Sequence, residues 1–195
     1  MSLELGELKK KLCAFEKIGQ WDSVLHILSN EWKKEHSGAI GALCLDQCYL
    51  FIEWADDVQD ENLLLWRDGY QTLLNNVIEY GLENLEDQPF FMWRLGYLMK
   101  GGAGTAYMLL NQHINMRNFD DICRKALLSA YERWPSKLVR WTIELANKNW
   151  NWHLELSDEQ KGEAAKDLAA LNLFDNIVDE QIRLDCSWVY ERQKS

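Results

Sequence analysis

Apolar side chains recur at intervals of three and four residues along most of this chain of 195 residues. That spacing places them on one face of an α-helix and leaves the polar side chains on the opposite face. Glycines and short polar runs separate the periodic segments, as expected where helices end. The pattern therefore predicts an all-α fold, an array of about nine or ten antiparallel helices joined by short links.

The first four predicted helices fill the first 80 residues. Gly19 and Gly81 are expected to end the first and the fourth of them, as glycine commonly does at a helix C-terminus. The four ranges are Leu3 to Ile18, Trp21 to about His36, about Ala39 to Val58, and about Leu63 to Tyr80.

Pro89 is expected to begin a fifth helix, because proline is tolerated in the first turn, where its missing N–H is not needed. A chain of 195 residues is long enough to bury one hydrophobic core, so residues 1–195 are expected to form a single helical domain. The remaining predicted helices cover Thr105 to Asn115, Phe119 or Asp120 to Trp134, Pro135 to about Asn147, Ser157 to about Phe174, and about Asn176 to Gln193.

Negative charge is concentrated between Glu35 and Trp93, where twelve acidic side chains accompany a single basic one, Arg67. The whole chain has a formal charge of −10, so this segment accounts for the acidity of the molecule. In the predicted third helix the acids recur at helical spacing and form a stripe. A field of this sign attracts a basic neighbour.

Composition argues against several other functions. A pI near 4.9 lacks the basic surface that nucleic-acid binding requires. No run approaches the roughly 20 apolar residues of a membrane span, and no signal peptide is visible, so a cytosolic protein is expected. The five cysteines are odd in number and include no Cys-x-x-Cys pair, and the four histidines lie apart, so no metal site and no cofactor are expected.

One motif suggests an alternative. The run Asp56-Asp57-Val58-Gln59-Asp60 is similar to the aspartate-rich motif of isoprenoid diphosphate synthases, which hold Mg²⁺ against a diphosphate. That chemistry also needs cationic side chains for the diphosphate, and the acidic segment offers only Arg67 before Arg94. A Mg²⁺-dependent diphosphate enzyme therefore stays open as the competing function.

A second pattern points to a binding scaffold. Trp21-Asp22 and Phe119-Asp120 open similar helices, and Leu95-Gly96-Tyr97 precedes the second of them. Over residues 89–135 the chain resembles tetratricopeptide-like helical-hairpin proteins, of the kind that serve bacteria as immunity partners of polymorphic toxins. The pattern departs at Val24 and Ile122, where the repeat places alanine. The resemblance implies a TPR-like α-solenoid or an irregular helical bundle, and no catalytic residue.

These observations predict a non-enzymatic scaffold whose acidic helices bind a basic protein, in its concrete form an immunity protein that masks a cationic toxin domain. Carboxylates would supply the attraction, and two aromatic side chains would supply contact area. The candidate binding residues are Asp46, Tyr49, Glu53, Trp54, Asp56, Asp57, Asp60 and Glu61.

Overall fold

A computed structural model describes residues 5–57, 63–101 and 116–134, together with positions 139–140, 142–143 and 147. Six helices have both ends within these residues, the described positions between 139 and 147 are helical as well, and no strand occurs among them, so the predicted all-α class is confirmed for this part of the chain. The predicted helices over 105–115, 157–174 and 176–193 lie outside it. The helices are α1 (Leu5–Glu16), α2 (Trp21–Lys34), α3 (Gly38–Asp57), α4 (Leu63–Asn84), α5 (Pro89–Gly101) and α6 (Met116–Arg133).

The turn between α1 and α2 forms where glycine was expected to end the first helix. Gly19 has a φ of 69°, in the left-handed region that glycine adopts without steric cost. The N–H groups of Gly19 and Gln20 donate to the carbonyls of Glu16 and Phe15, at 3.0 Å each. This turn allows α1 and α2 to pack against each other through Leu8, Leu12 and the apolar face of α2.

Helix α3 is the centre of the described structure. It contacts α2, α4 and α5, and the side chains from Ala42 to Gln47 are all buried. Its first turn is capped from a distance, since the Gly38 N–H donates to the Gln88 side-chain oxygen at 2.7 Å. The described side chains from Ile40 to Cys48 therefore cannot form a solvent-exposed stripe.

The expectation that Asp46 faces a binding partner is therefore wrong. The Asp46 carboxylate lies 3.1 Å from the Arg94 guanidinium of α5, and the two side chains are 4% and 1% exposed. The guanidinium also lies over the rings of Trp93 and Phe90, at 4.7 and 5.7 Å from their centroids. Asp46 is thus neutralised inside the molecule, because a buried carboxylate requires a partner of opposite charge.

The predicted end of the fourth helix is also wrong, since α4 continues beyond Gly81 to Asn84. Gly81 lies against the Phe91 ring of α5, and a Cβ at this position would overlap that ring. On α3, a Cβ at Gly41 would lie 2.9 Å from the same ring. The two glycines make room for Phe91 where α3, α4 and α5 meet, so Gly81 allows close packing inside a helix.

The second half of the described structure is built on α5. Helix α6 packs along it, with Leu127 filling the space beside Gly96. The Trp93 indole N–H donates to the Thr142 hydroxyl at 2.9 Å, which joins α5 to the helical residues 142–143. Among the described residues, no helix has the length and apolar character needed to cross a bilayer.

Candidate functional site: a groove between α2 and α4

A cleft of about 770 Å³ opens between α2 and α4, and we refer to it as the α2/α4 groove. Apolar and aromatic side chains and a set of charged ones line it together. From α2 and the residues after it come Leu25, Ser29, Trp32, Lys33 and His36, and from α4 come Asp68, Gly69, Thr72, Leu73, Asn76, Glu79, Tyr80 and Glu83.

The groove exists because α2 and α4 run side by side in the same direction. At the first residue of α2, the Tyr70 hydroxyl of α4 donates to the Trp21 carbonyl at 2.8 Å. Near their ends the rings of Trp32 and Tyr80 are in contact, with 5.6 Å between centroids. The lining positions on each helix recur at steps of three and four, so each helix presents a single face to the groove.

The character of the groove changes from aliphatic to aromatic along its length. At the first end the helices approach closely, since a Cβ at Gly69 would lie 2.5 Å from the Leu25 Cδ2 atom. At the other end, the ring centroids of His36 and Tyr80 are 4.5 Å apart and the two ring planes make an angle of 34°. The His36 centroid lies 4.7 Å from that of Trp32. A segment bound along the groove would therefore contact aliphatic side chains at one end and aromatic rings at the other.

The charge of the groove is predominantly negative. Asp68, Glu79 and Glu83 on α4 are exposed, and Lys33 on α2 is the basic side chain on the opposite side. Within the described part of the chain, none of the three carboxylates forms an ion pair. Glu79 and Glu83 are one helical turn apart, which places two like charges about 5–6 Å from each other at Cβ. The rim thus offers negative charge that is not neutralised locally.

The predicted binding residues are distributed differently. Tyr49 and Trp54 are half-buried and pack against the core, and Trp54 lies 5.6 Å from the ring of Trp21 and 6.3 Å from that of Trp66. Glu53, Asp56 and Asp57 belong to α3, but their side chains are outside the described structure, as are Asp60 and Glu61. The groove carboxylates were in the predicted acidic segment without being selected from it. The pattern in the sequence that indicates them is a pair of glutamates four residues apart, Glu79 and Glu83, with Tyr80 next to the first.

Thiol chemistry is suppressed in the core of the molecule. Burial raises the pKa of the Cys44 and Cys48 thiols, and the charge of Asp46 raises both further. Both thiols are therefore held neutral, the form in which cysteine is a poor nucleophile and metal ligand. Among the described residues, no group of three or more histidine, cysteine or acidic side chains is arranged to hold a metal ion.

The groove can therefore act by contact and charge. Its floor offers apolar and aromatic surface, and its rim offers carboxylates that accept hydrogen bonds from cationic donors.

No model of a known protein family, no curated protein and no solved structure matches the chain.

Proposed function

We propose that this is a non-enzymatic binding protein whose α2/α4 groove receives a basic segment of a partner protein. The observation that carries the proposal is the combination of three exposed carboxylates, Asp68, Glu79 and Glu83, with an apolar and aromatic floor in one open cleft. Recognition of an amphipathic segment needs both parts, since apolar burial gives affinity and complementary charge gives selectivity.

The dimensions suit a short segment of chain. From Gly69 to Glu83 the α4 side of the groove spans about 21 Å, at a rise of 1.5 Å per residue. A helix of about four turns has the same length. The partner segment proposed here is a basic amphipathic helix of that length, with its apolar face on the half-buried Leu25 and Tyr80 and its cationic residues beside the α4 carboxylates.

Charge and apolar contact have separate effects in such a complex. Exposed ion pairs contribute about 0–1 kcal/mol each, so the three carboxylates alone do not hold a partner. They accelerate encounter with a basic surface and weaken binding to acidic ones. Binding should accordingly weaken as salt is added, because the groove charges are solvent-exposed.

A more specific form of the proposal is an immunity-type protein in the bacterial cytosol that masks the cationic domain of a toxin. The resemblance of residues 89–135 to tetratricopeptide-like proteins supports it, as does the packing of each helix from α1 to α4 on the next one along the chain. In this form the whole chain is one TPR-like or irregular array of about nine or ten helices. Its carboxylates take the places that nucleic-acid phosphates would occupy on the toxin.

A synthetic helical peptide tests the groove without knowledge of the natural partner. The probe is about 18 residues long, some five turns, with leucine on one face and lysine on the other. Calorimetric titration should show binding by the native protein, and a loss of about 3- to 100-fold for the variant Asp68→Asn/Glu79→Gln/Glu83→Gln. A peptide with glutamate in place of lysine should not bind.

A matched control separates the groove from net charge. The variant Glu7→Gln/Asp121→Asn/Glu132→Gln changes three exposed carboxylates outside the groove and so alters the net charge equally. We expect it to bind the lysine peptide as the native protein does. Equal losses in the two triple variants, or no binding by the native protein, would contradict the proposal.

A further inference from the structure

Three rings meet at the aromatic end of the α2/α4 groove, and we call Trp32, His36 and Tyr80 the aromatic corner. Trp32 is 4% exposed and stands almost perpendicular to Tyr80, at 89°. The His36 ring covers the Tyr80 ring in a tilted arrangement, with 4.5 Å between ring centroids and 34° between ring planes. The carboxylates of Glu79 and Glu83 line the same groove, on the helix that carries Tyr80.

His36 is the exposed member of the aromatic corner and lies outside the helices. It follows the end of α2 at Lys34, in the link that leads to α3, and its side chain is exposed. In the described part of the chain its ring contacts Trp32 and Tyr80 and makes no hydrogen bond. Rotation of this side chain into solvent would uncover one face of Tyr80 and leave no buried polar group unpaired.

The uncovered surface has the properties that recognise a guanidinium. This group is planar, stacks on aromatic rings and donates in a fork to carboxylates, whereas an ammonium is a compact point charge that stays strongly hydrated. Tyr80 supplies the ring, and Glu79 and Glu83 supply acceptors on the same helix. The imidazole of His36 lies over the Tyr80 ring, 4.5 Å from it between centroids, in the place that a guanidinium would take.

We propose that the aromatic corner is the subsite for an arginine side chain of the partner, which displaces His36 and stacks on Tyr80. This inference rests on the proposed function of the groove and adds the residue type that its aromatic end selects. It implies that the groove prefers arginine to lysine and that His36 competes with the bound arginine.

Two probe peptides measure that preference: the leucine and lysine peptide, and its counterpart with arginine in place of every lysine. We expect the native protein to bind the arginine peptide about three- to fivefold more tightly. Tyr80→Phe retains the ring and should retain the preference. Tyr80→Leu removes the ring and should bring the ratio of the two dissociation constants close to one.

His36 gives the sharper test. His36→Ala removes the competitor, so binding of the arginine peptide should strengthen while binding of the lysine peptide stays the same. His26→Ala is the control, since His26 is an exposed histidine of α2 outside the groove. Weaker arginine binding by His36→Ala would overturn the inference, because His36 would then be part of the subsite.

A spectroscopic measurement on the native protein avoids any variant that fails to fold. The ring protons of His36 should shift towards their unstacked positions when the arginine peptide is added, and should respond less to the lysine peptide. Unchanged His36 resonances with both bound peptides, or a native-like ratio in folded Tyr80→Leu, would remove the arginine subsite and leave the groove intact. If the groove triple variant binds both peptides as its control does, the proposed function fails as well.

Discussion

At the scale of single residues, Asp46 and Arg94 form an ion pair inside the core. Both side chains are nearly inaccessible, and their charged atoms are 3.1 Å apart. Removing one member of a buried ion pair leaves an uncompensated charge, whereas replacing both with apolar side chains is often neutral or stabilising. The pair therefore creates a strong dependence of each residue on the other.

We expect Arg94→Met to lower the free energy of unfolding by about 3–5 kcal/mol, because it leaves the Asp46 carboxylate buried beside an apolar side chain. Asp46→Leu/Arg94→Met should recover most of that loss. Methionine retains contact with the Trp93 and Phe90 rings through its sulfur. Urea denaturation of both variants measures the difference, and a double variant no more stable than Arg94→Met would contradict this account.

Glu16 is a residue at which stability should depend on pH. Its carboxyl is half-buried in the last turn of α1, and burial raises its pKa, although a hydrogen bond from Gln47 and the charge of Lys17 act in the opposite direction. Because the folded-state pKa lies above the unfolded value of 4.5, ionisation of Glu16 costs stability as the pH rises through this range.

We therefore expect Glu16→Gln to stabilise the protein at pH 7, by less than about 1 kcal/mol since the group is half-solvated. The advantage should disappear as the pH falls below 4.5. Glu7→Gln is the matched control, and it should not stabilise, because Glu7 lies in the first turn of α1, where negative charge is favourable. Chemical denaturation across the pH range tests both, and a constant effect of Glu16→Gln at every pH would exclude this origin.

At the scale of helices, the meeting of α3, α4 and α5 depends on small residues. The ring of Phe91 reaches the backbone of both neighbours, at Gly41 and at Gly81. Such contacts determine how closely helices approach, and close-packed interiors tolerate added volume poorly.

Gly81→Ala should accordingly destabilise the protein by about 1–3 kcal/mol, although alanine is the better helix former. Gly6→Ala provides the comparison, because an added Cβ at this position of α1 has no atom within 4 Å. We expect that change to stabilise by about 0.5–1 kcal/mol. Thermal unfolding of the two variants gives the sign of each effect, and stabilisation by Gly81→Ala would show that α5 lies further from α4.

The extent to which the sequence predicts these helices has a physical explanation. The first three predicted helices agree with α1, α2 and α3 to within two residues at each end, because local spacing and turn residues decide them. The end of α4 differs because a glycine that ends a helix and a glycine that admits a neighbouring ring look alike in a sequence. For the site, the sequence predicts only the acidic segment in which it lies. The pairing of Asp46 with Arg94 and the approach of α2 to α4 depend on contacts between residues far apart in the chain, which local spacing does not predict.

At the scale of the molecule, the net charge of −10 favours expansion, and the groove concentrates part of that charge. Glu79 and Glu83 repel each other across one helical turn. Binding sites commonly retain such unfavourable features at some cost in stability.

We expect Glu79→Gln/Glu83→Gln to raise the free energy of unfolding by about 0.5 kcal/mol at low ionic strength. The gain should shrink in salt of about 1 M, where charges more than about 3 Å apart are screened. Glu7→Gln/Glu132→Gln alters the net charge equally and should gain less, because these two exposed residues lie on different helices. Urea denaturation at both salt concentrations measures the gains, and a groove variant less stable than the native protein would mean that its carboxylates make favourable contacts.

The buried part of α3 packs against α2, α4 and α5, so hydrogen exchange in this helix can report on unfolding of the surrounding structure. The amide hydrogens from Ile40 to Cys48 lie in this buried part, so we expect their exchange with deuterated solvent to require separation of the surrounding helices and to report global opening. A peptide held between α2 and α4 would slow that exchange in proportion to its occupancy and affinity, without touching the amides that record it.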